Sequence, residues 1–371
     1  MVECFIILTN CGAEVDTVLL TVLGFVVAFG LSFRCSTAYE RYNDGRKYWS
    51  QLTLTSRNLA RIFWLNINER EDPELAKKDL LGKITAINLI NAFAQSLKHR
   101  LRFEPATDYD DLAHLVPHLP GAMATKADQS KLRPKKPSVL KSFGEHLGIS
   151  FAQSNPRKML KRAESNLGNL PHEILSHLSA YIDKAINVDK TLVTPCYQSL
   201  VTADVRIMAD VLTGTERVVN TPLPLAYSIS ISQITWAYIM VLPFQLYAKL
   251  GWITIPGTIV AAYIILGLAI IGREIENPFG NDVNDLPLDA YCTEIEADLD
   301  VLTSIPMTEY QSFIDSEENR PLYQLSNDTA SQWENRSVDD IRNALRVKAN
   351  TPPKSAALER IRSASAAVEN V

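Results

Sequence analysis

The stretch TVLLTVLGFVVAFGLSF, Thr17 to Phe33, holds 17 residues and no charge. A bilayer core takes about 20 apolar residues in helix, so this segment is short for a span but strongly apolar. Two longer runs follow far downstream. Ala226–Ala248 and Leu250–Gly272 each contain 23 uncharged residues, and one lysine separates them. Two adjacent runs of that length do not fit the core of a soluble domain. The expected fold is all-α: a multi-pass helical membrane protein with spans at about 17–33, 226–248 and 250–272.

Whole-chain averages hide this. Of 371 residues, 46% are hydrophobic and 21% charged, values typical of soluble proteins. The apolar residues are clumped instead. The net charge of -5 is mild, and no dominant basic patch argues for nucleic acid as a partner. Five scattered cysteines show neither CxxC nor zinc-ligand spacing and read as free thiols. His114 and His118 are four apart, but Pro117 between them breaks the helix that would aim both at one metal. Residues 1–16 lack the basic start of a signal peptide. No nucleophile–base pairing, P-loop or dinucleotide fingerprint is present, so an enzyme is not expected.

Basic residues set the topology. Arg34, Arg41, Arg46 and Lys47 follow the first span, Arg206 and Arg217 precede the second, and Arg273 follows the third. All three flanks therefore face the cytosol. The second and third spans form a hairpin with a tight outer turn near Lys249–Gly251. Cytosolic helices are expected over 36–103 and 171–220, where aliphatic and aromatic residues recur at helical spacing. Between them, 104–140 holds five prolines and a run of basic residues, and reads as a looped insertion. Residues 1–16 form a short N-terminal remnant. Residues 306–371 are polar and expected to be disordered, apart from one amphipathic helix capped by Ser337 with Asp340 and carrying Ile341, Leu345 and Val347.

The first span has an internal pattern. Phe25, Phe29 and Phe33 are four apart, drift by only about 40° per step and so share one helix face. Gly24, Ala28 and Ser32 form a parallel small-residue stripe that would let membrane helices approach closely. In a ring of identical helices, small residues would pack between neighbours and the phenylalanines would face the axis as an apolar neck that gates by dewetting. Packing of the same rings against lipid or other helices is the simpler use of such a stripe.

Four motifs then resemble one family. FRCSTAYERYNDGRKYW (Phe33–Trp49), FAQSLKHRLR (Phe93–Arg102), ERVVNTPLPLAYS (Glu216–Ser228) and IENPFGNDVNDLPLD (Ile275–Asp289) occur in the order found in bestrophins. The flavour is that of the bacterial, plant and fungal branch. The resemblance covers roughly 17–105 and 165–305, within a channel domain of 17–305. It implies a homopentameric ion channel, generally anion-selective and permeable to chloride, although some bacterial-type members conduct cations. It implies a neck at Phe25, Phe29 and Phe33, and a second, cytosolic constriction near Cys196. In animal members the turn after the last span is a calcium clasp, whose side-chain ligands match Asn277, Asp282 and Asp285. Val283 and Asn284 replace acids present there, and further ligands would come from a neighbouring subunit's N-terminal stretch. No cofactor is required on this reading, and calcium is the one candidate. The alternative for the turn is a structural one, shaped by Pro278, Gly280 and Pro287.

The resemblance also implies a further membrane helix ahead of the neck, where only 16 residues stand. That points to an incomplete start or a degraded paralogue. The leading expectation is a passive, pentameric anion channel embedded in a bilayer of unspecified compartment. The alternatives are a cation-conducting channel of the same fold and a non-conducting membrane scaffold.

Overall fold

The computed structural model describes residues 17–119, 168–188, 193–305, 310–323 and 325–350. Among them the secondary structure is helical, apart from one isolated antiparallel bridge between Ile67 and Val193. The remnant 1–16, most of the insertion (120–140) and the end of the tail (351–371) lie outside the described residues.

The chain divides into two compact units, 1–303 and 304–371. The first is built on α1 (Thr17–Arg61), an unbroken helix of 45 residues closed by a π-helical turn at Ile62–Asn66. At 1.5 Å per residue α1 is about 67 Å long, twice the thickness of a bilayer core. The helix that carries the first span therefore does not end at Phe33. It continues from the apolar stretch straight into the polar region with no proline to stop it, and it runs through the turn-prone Asn43-Asp44-Gly45, where Gly45 lets the Phe279 ring approach closely.

Next come α2 (Pro73–Leu101), α3 (Leu170–Asp183) and α4 (Pro195–Asn220). Each starts as its sequence dictates. Asp72 caps α2 by accepting from the Glu74 amide, and Asn169 caps α3 by accepting from the His172 amide. Each helix has a proline in its first turn, where the missing N–H costs nothing. α4 and α2 pack on α1 and α3 packs on α2 and α4, and together they bury Trp49, Leu59, Phe63, Ile90, Phe93, Ile174 and Met208.

α5 (Leu225–Leu250) and α6 (Thr254–Glu274) form the expected hairpin. A 3-10 turn at Gly251–Ile253 joins them, and Gly251 takes φ +55°, a left-handed conformation that suits glycine. Both helices pack on α1. Three described helices, α1, α5 and α6, are long and apolar enough to cross a membrane. The chain is an integral membrane protein. A last helix, α7 (Leu288–Ser304), returns to the polar core.

Two expectations need correction. Residues 104–119 are not a free loop: Ala106, Leu112, Leu115, Val116 and Leu119 are buried. The apolar residues of this stretch lie too irregularly for a helix pattern, but they suffice to dock it. The stretch 306–371 is not uniformly disordered either. The second unit holds α8 (Tyr310–Ile314), α9 (Ala330–Glu334) and α10 (Val338–Asn350). Leu322, Trp333 and Ala344 bury one another there, with Ile341 packed against them. The low average apolar content conceals a cluster whose members are far apart in sequence. α9 begins with a Thr329–Gln332 capping box, and α10 with Ser337 accepting from the Asp340 amide at 3.2 Å.

Candidate pore helix and its cytosolic junction

In α1 the buried and exposed residues separate by angle. With Phe25 at zero and about 100° per residue, Phe29 lies at about 40° and Phe33 at about 80°. Leu20, Val27, Leu31, Arg34 and Ala38, all buried, fall at about 180–240°. That face packs against α5 and α6 of the same chain. The phenylalanines lie opposite it and are exposed by 73%, 67% and 48%. The Phe25 and Phe29 rings stack with centroids 6.5 Å apart, and Phe33 meets Tyr227 of α5 at 6.0 Å. A groove of about 280 Å³ between α1 and α5 is lined by Val26, Phe29, Phe33, Tyr227 and Ile231.

The small-residue stripe is only partly covered by its own chain. Gly24 faces Tyr238 within the same chain, and a Cβ there would sit 3.1 Å from the tyrosine oxygen. Ala28 and Ser32 remain exposed. Cys196 is also exposed, in the first turn of α4 and beyond the bridge at Val193.

Just past Phe33 three motifs meet. Pro222 has no N–H to offer the Val218 carbonyl, so α4 ends with orphan acceptors. Arg41 of α1 supplies them: it donates to the Val218 carbonyl at 2.6 Å and to the Thr221 carbonyl. Its cation also suits the negative end of the helix. From Nε, Arg41 donates to the Glu276 carbonyl at 2.9 Å. The Glu276 carboxylate accepts from the Leu223 amide at 3.3 Å and stands 3.7 Å from the buried Arg34 guanidinium. One glutamate thus links α1, the α4–α5 connection and the turn after α6.

Deeper in the polar region the motifs are stitched by ion pairs. Asp289, at the start of α7, accepts from Lys98 at 2.9 Å and from Arg102 at 2.8 Å. The Arg102 guanidinium, then Lys98, hold its carboxyl well below the usual range, against a smaller opposing effect of burial. Lys98 also donates to Asp111. Burial alone would raise the Asp111 pKa, but the bonds from Lys98 and His99 outweigh it and lower it. His99 sits between Glu104 at 2.7 Å and Asp111 at 3.0 Å, stacked on Tyr109. Arg100 donates to Glu216 of α4 at 2.6 Å.

The turn 275–287 carries the candidate calcium ligands. Its geometry in one chain is inward and self-satisfied. Asp285 accepts from the Asp282 amide at 2.8 Å, and a Cβ on Gly280 would collide with that carboxylate. Asn284 donates to Glu274, while Asn277 and Asp282 point outward as exposed residues. Among the described residues no three His, Cys, Asp or Glu side chains come together as a metal would need. Burial raises the Asp285 carboxyl to about 6, and neighbouring Asp282 and Glu274 add to the rise, while the Asp282 amide bond opposes it. Phe279 and Leu286 of this turn pack on Gly45 of α1, where a Cβ would lie 2.9 Å from the Phe279 ring.

Residues 2–301 match the family described as Bacterial/Fungal Bestrophin protein. The chain belongs to the bacterial and fungal bestrophin family. Among its relatives is a voltage-dependent anion channel-forming protein of Synechocystis sp., 33% identical over 281 residues that cover 76% of each chain. Another, of Salmonella typhi and bearing the same description, is 28% identical over 293 residues, 78% of each chain. The bestrophin fold is also seen in a crystal structure of a bacterial bestrophin homolog from Klebsiella pneumoniae. Its TM-score is 0.56 at 24% identity, covering 81% of this chain and 92% of that one. Membership agrees with the reading that a bestrophin chain of this kind is not an enzyme.

Sequence reading missed one structural element, the Glu276–Arg34–Arg41 junction. A signal was available: a glutamate just after a span and two arginines just after another demand partners at the membrane surface.

Proposed function

We propose that the chain assembles as a homopentamer around α1 and passes small anions, chloride among them, down their electrochemical gradient. The observation that carries this reading is the phenylalanine stripe at Phe25, Phe29 and Phe33. It lies opposite the face of α1 that its own chain covers, in a family whose curated relatives are described as anion channel-forming. Ring edges carry partial positive charge and suit a passing anion. A narrow apolar collar gates by dewetting, so no chemistry and no cofactor are needed. The exposed Cys196 is proposed to mark a second constriction on the cytosolic side. We favour a structural turn for Asn277, Asp282 and Asp285, and a calcium clasp completed by a neighbouring subunit is the alternative.

The test is single-channel or liposome-flux recording of the purified protein with Phe25→Ala, Phe29→Ala and Phe33→Ala. Widening and wetting of the neck is expected to raise conductance or open probability several-fold. Wild-type behaviour in all three variants refutes the assignment. Protein that assembles but conducts nothing supports the non-conducting scaffold instead.

A further inference from the structure

The exposed face of α1 does not end with the phenylalanines. On the same angular scale Ser36, Glu40, Asn43, Lys47, Ser50 and Leu54 all fall within about 60° of Phe25. All six are exposed. The opposite side, at about 180–240°, carries Ala38, Gly45, Trp49, Leu52 and Ser56, and all five are buried against the chain's own helices. One straight helix thus keeps one uncovered stripe from the neck residues into the polar region. Whatever the phenylalanines face, this stripe faces as well.

The first two charges on the stripe have opposite sign. Arg34 is the only charged residue between Phe33 and Glu40, and it is buried on the far side beside Glu276. Glu40 therefore comes first, seven residues past Phe33, or about 10 Å along the axis. It has no ion-pair partner among the described residues. The cations come next: Arg46, at the other edge of the stripe about 60° from Phe25, lies over the Tyr291 ring at 4.3 Å, and Lys47 has its side chain 67% exposed with only Asp44 of its own helix nearby at 3.5 Å.

We infer that Glu40 and Lys47 are the specificity-determining residues of the pore, forming two rings of opposite sign beneath the neck. This rests on the proposal that Phe25, Phe29 and Phe33 face the axis. The Glu40 ring attracts cations and raises the barrier to anions leaving the neck. The Lys47 ring concentrates anions at the mouth. The balance between the two sets the preference for anions over cations.

Reversal potentials under a sodium chloride gradient test this in the reconstituted full-length channel. Glu40→Gln is expected to raise the chloride-to-sodium permeability ratio about sevenfold, with a factor of about three from each ion. That is the effect of a ring of unit charges roughly 10 Å from an ion in water, screened over a Debye length of about 8 Å. Lys47→Gln is expected to lower the ratio, and both shifts should shrink at high salt. Glu40→Asp and Lys47→Arg should keep the wild-type ratio. If Glu40→Gln fails to assemble, Lys47→Gln decides alone, because its effect has the opposite sign. Unchanged ratios alongside a Phe29→Ala variant with altered conductance overturn the charge rings and leave the neck standing. Unchanged conductance in Phe29→Ala as well overturns the neck reading, and the rings with it.

Discussion

Glu276 is the side chain on which the membrane–cytosol junction turns. It accepts from the Leu223 amide, stands beside Arg34 and offers its backbone carbonyl to Arg41. Arg34 is buried, and its Nε has no other hydrogen-bond partner. Removing the carboxylate would leave that cation uncompensated in a low-dielectric setting, which costs about 3 kcal/mol. Glu276→Ala is therefore expected to lower the thermal midpoint of the detergent-solubilised protein substantially, and Glu276→Gln less so, because the amide oxygen still accepts from Leu223. An unchanged midpoint in the alanine variant would show that the pair contributes nothing. Phe25, Phe29 and Phe33 could be grouped from the sequence alone, because residues on one helix obey a fixed period. Glu276 and Arg34 could not, since nothing local signals a contact between residues 242 positions apart in the chain.

At the level of elements, helix contacts rest on a few small residues. Gly214 of α4 lies under the Tyr48 ring of α1, and a Cβ there would overlap it. Tyr48 in turn accepts from Arg217 at 3.1 Å, so it is poorly free to move. Gly214→Ala is expected to destabilise by about 1–3 kcal/mol through overpacking, despite the better helix propensity of alanine. Paired with Tyr48→Phe or Tyr48→Leu, the loss should shrink, and denaturation of the four combinations measures it. The three spans were legible from length and charge, and the hairpin turn from a glycine between two apolar runs. The end of the helix that carries the first span was not. Polarity changes at Arg34, but backbone hydrogen bonding continues to Arg61, and helices stop at breakers rather than at changes in polarity. The tail was misread for a related reason. Composition averages over a segment, while Leu322, Trp333 and Ala344 make a small core by position.

Across the whole first unit, the four family motifs are parts of one polar frame. FAQSLKHRLR supplies Lys98, Arg100 and Arg102, which bind Asp289 of the fourth motif and Glu216 of the third. Stability should follow these carboxylates. Asp289 and Asp111 are held below their ordinary range when folded. A depressed carboxyl pKa makes its full contribution above the unfolded value of about 4 and loses it as pH falls through the lower folded value. The contribution of these two carboxylates is thus flat from neutral pH to about 5 and falls steadily below 4, while Asp285, raised to about 6, adds stability as pH drops from about 7 to 4, so the thermal midpoint is expected to rise slightly before it falls. Asp289→Asn should be less stable at pH 7 and lose less on acidification. A parallel acid limb in wild type and variant would exclude Asp289 from the effect.

The unbroken run of α1 makes it a lever. Its far arm is anchored by Trp49, fully buried in the polar core, and its near arm carries Phe25 some 36 Å away. A tilt of about 5° about that anchor carries the ring sideways by about 3 Å, close to the width of a water molecule. No hinge lies between to absorb the motion. Small repacking around the cytosolic fulcrum is therefore delivered to the aromatic collar undiminished, and amplified by the length of the arm.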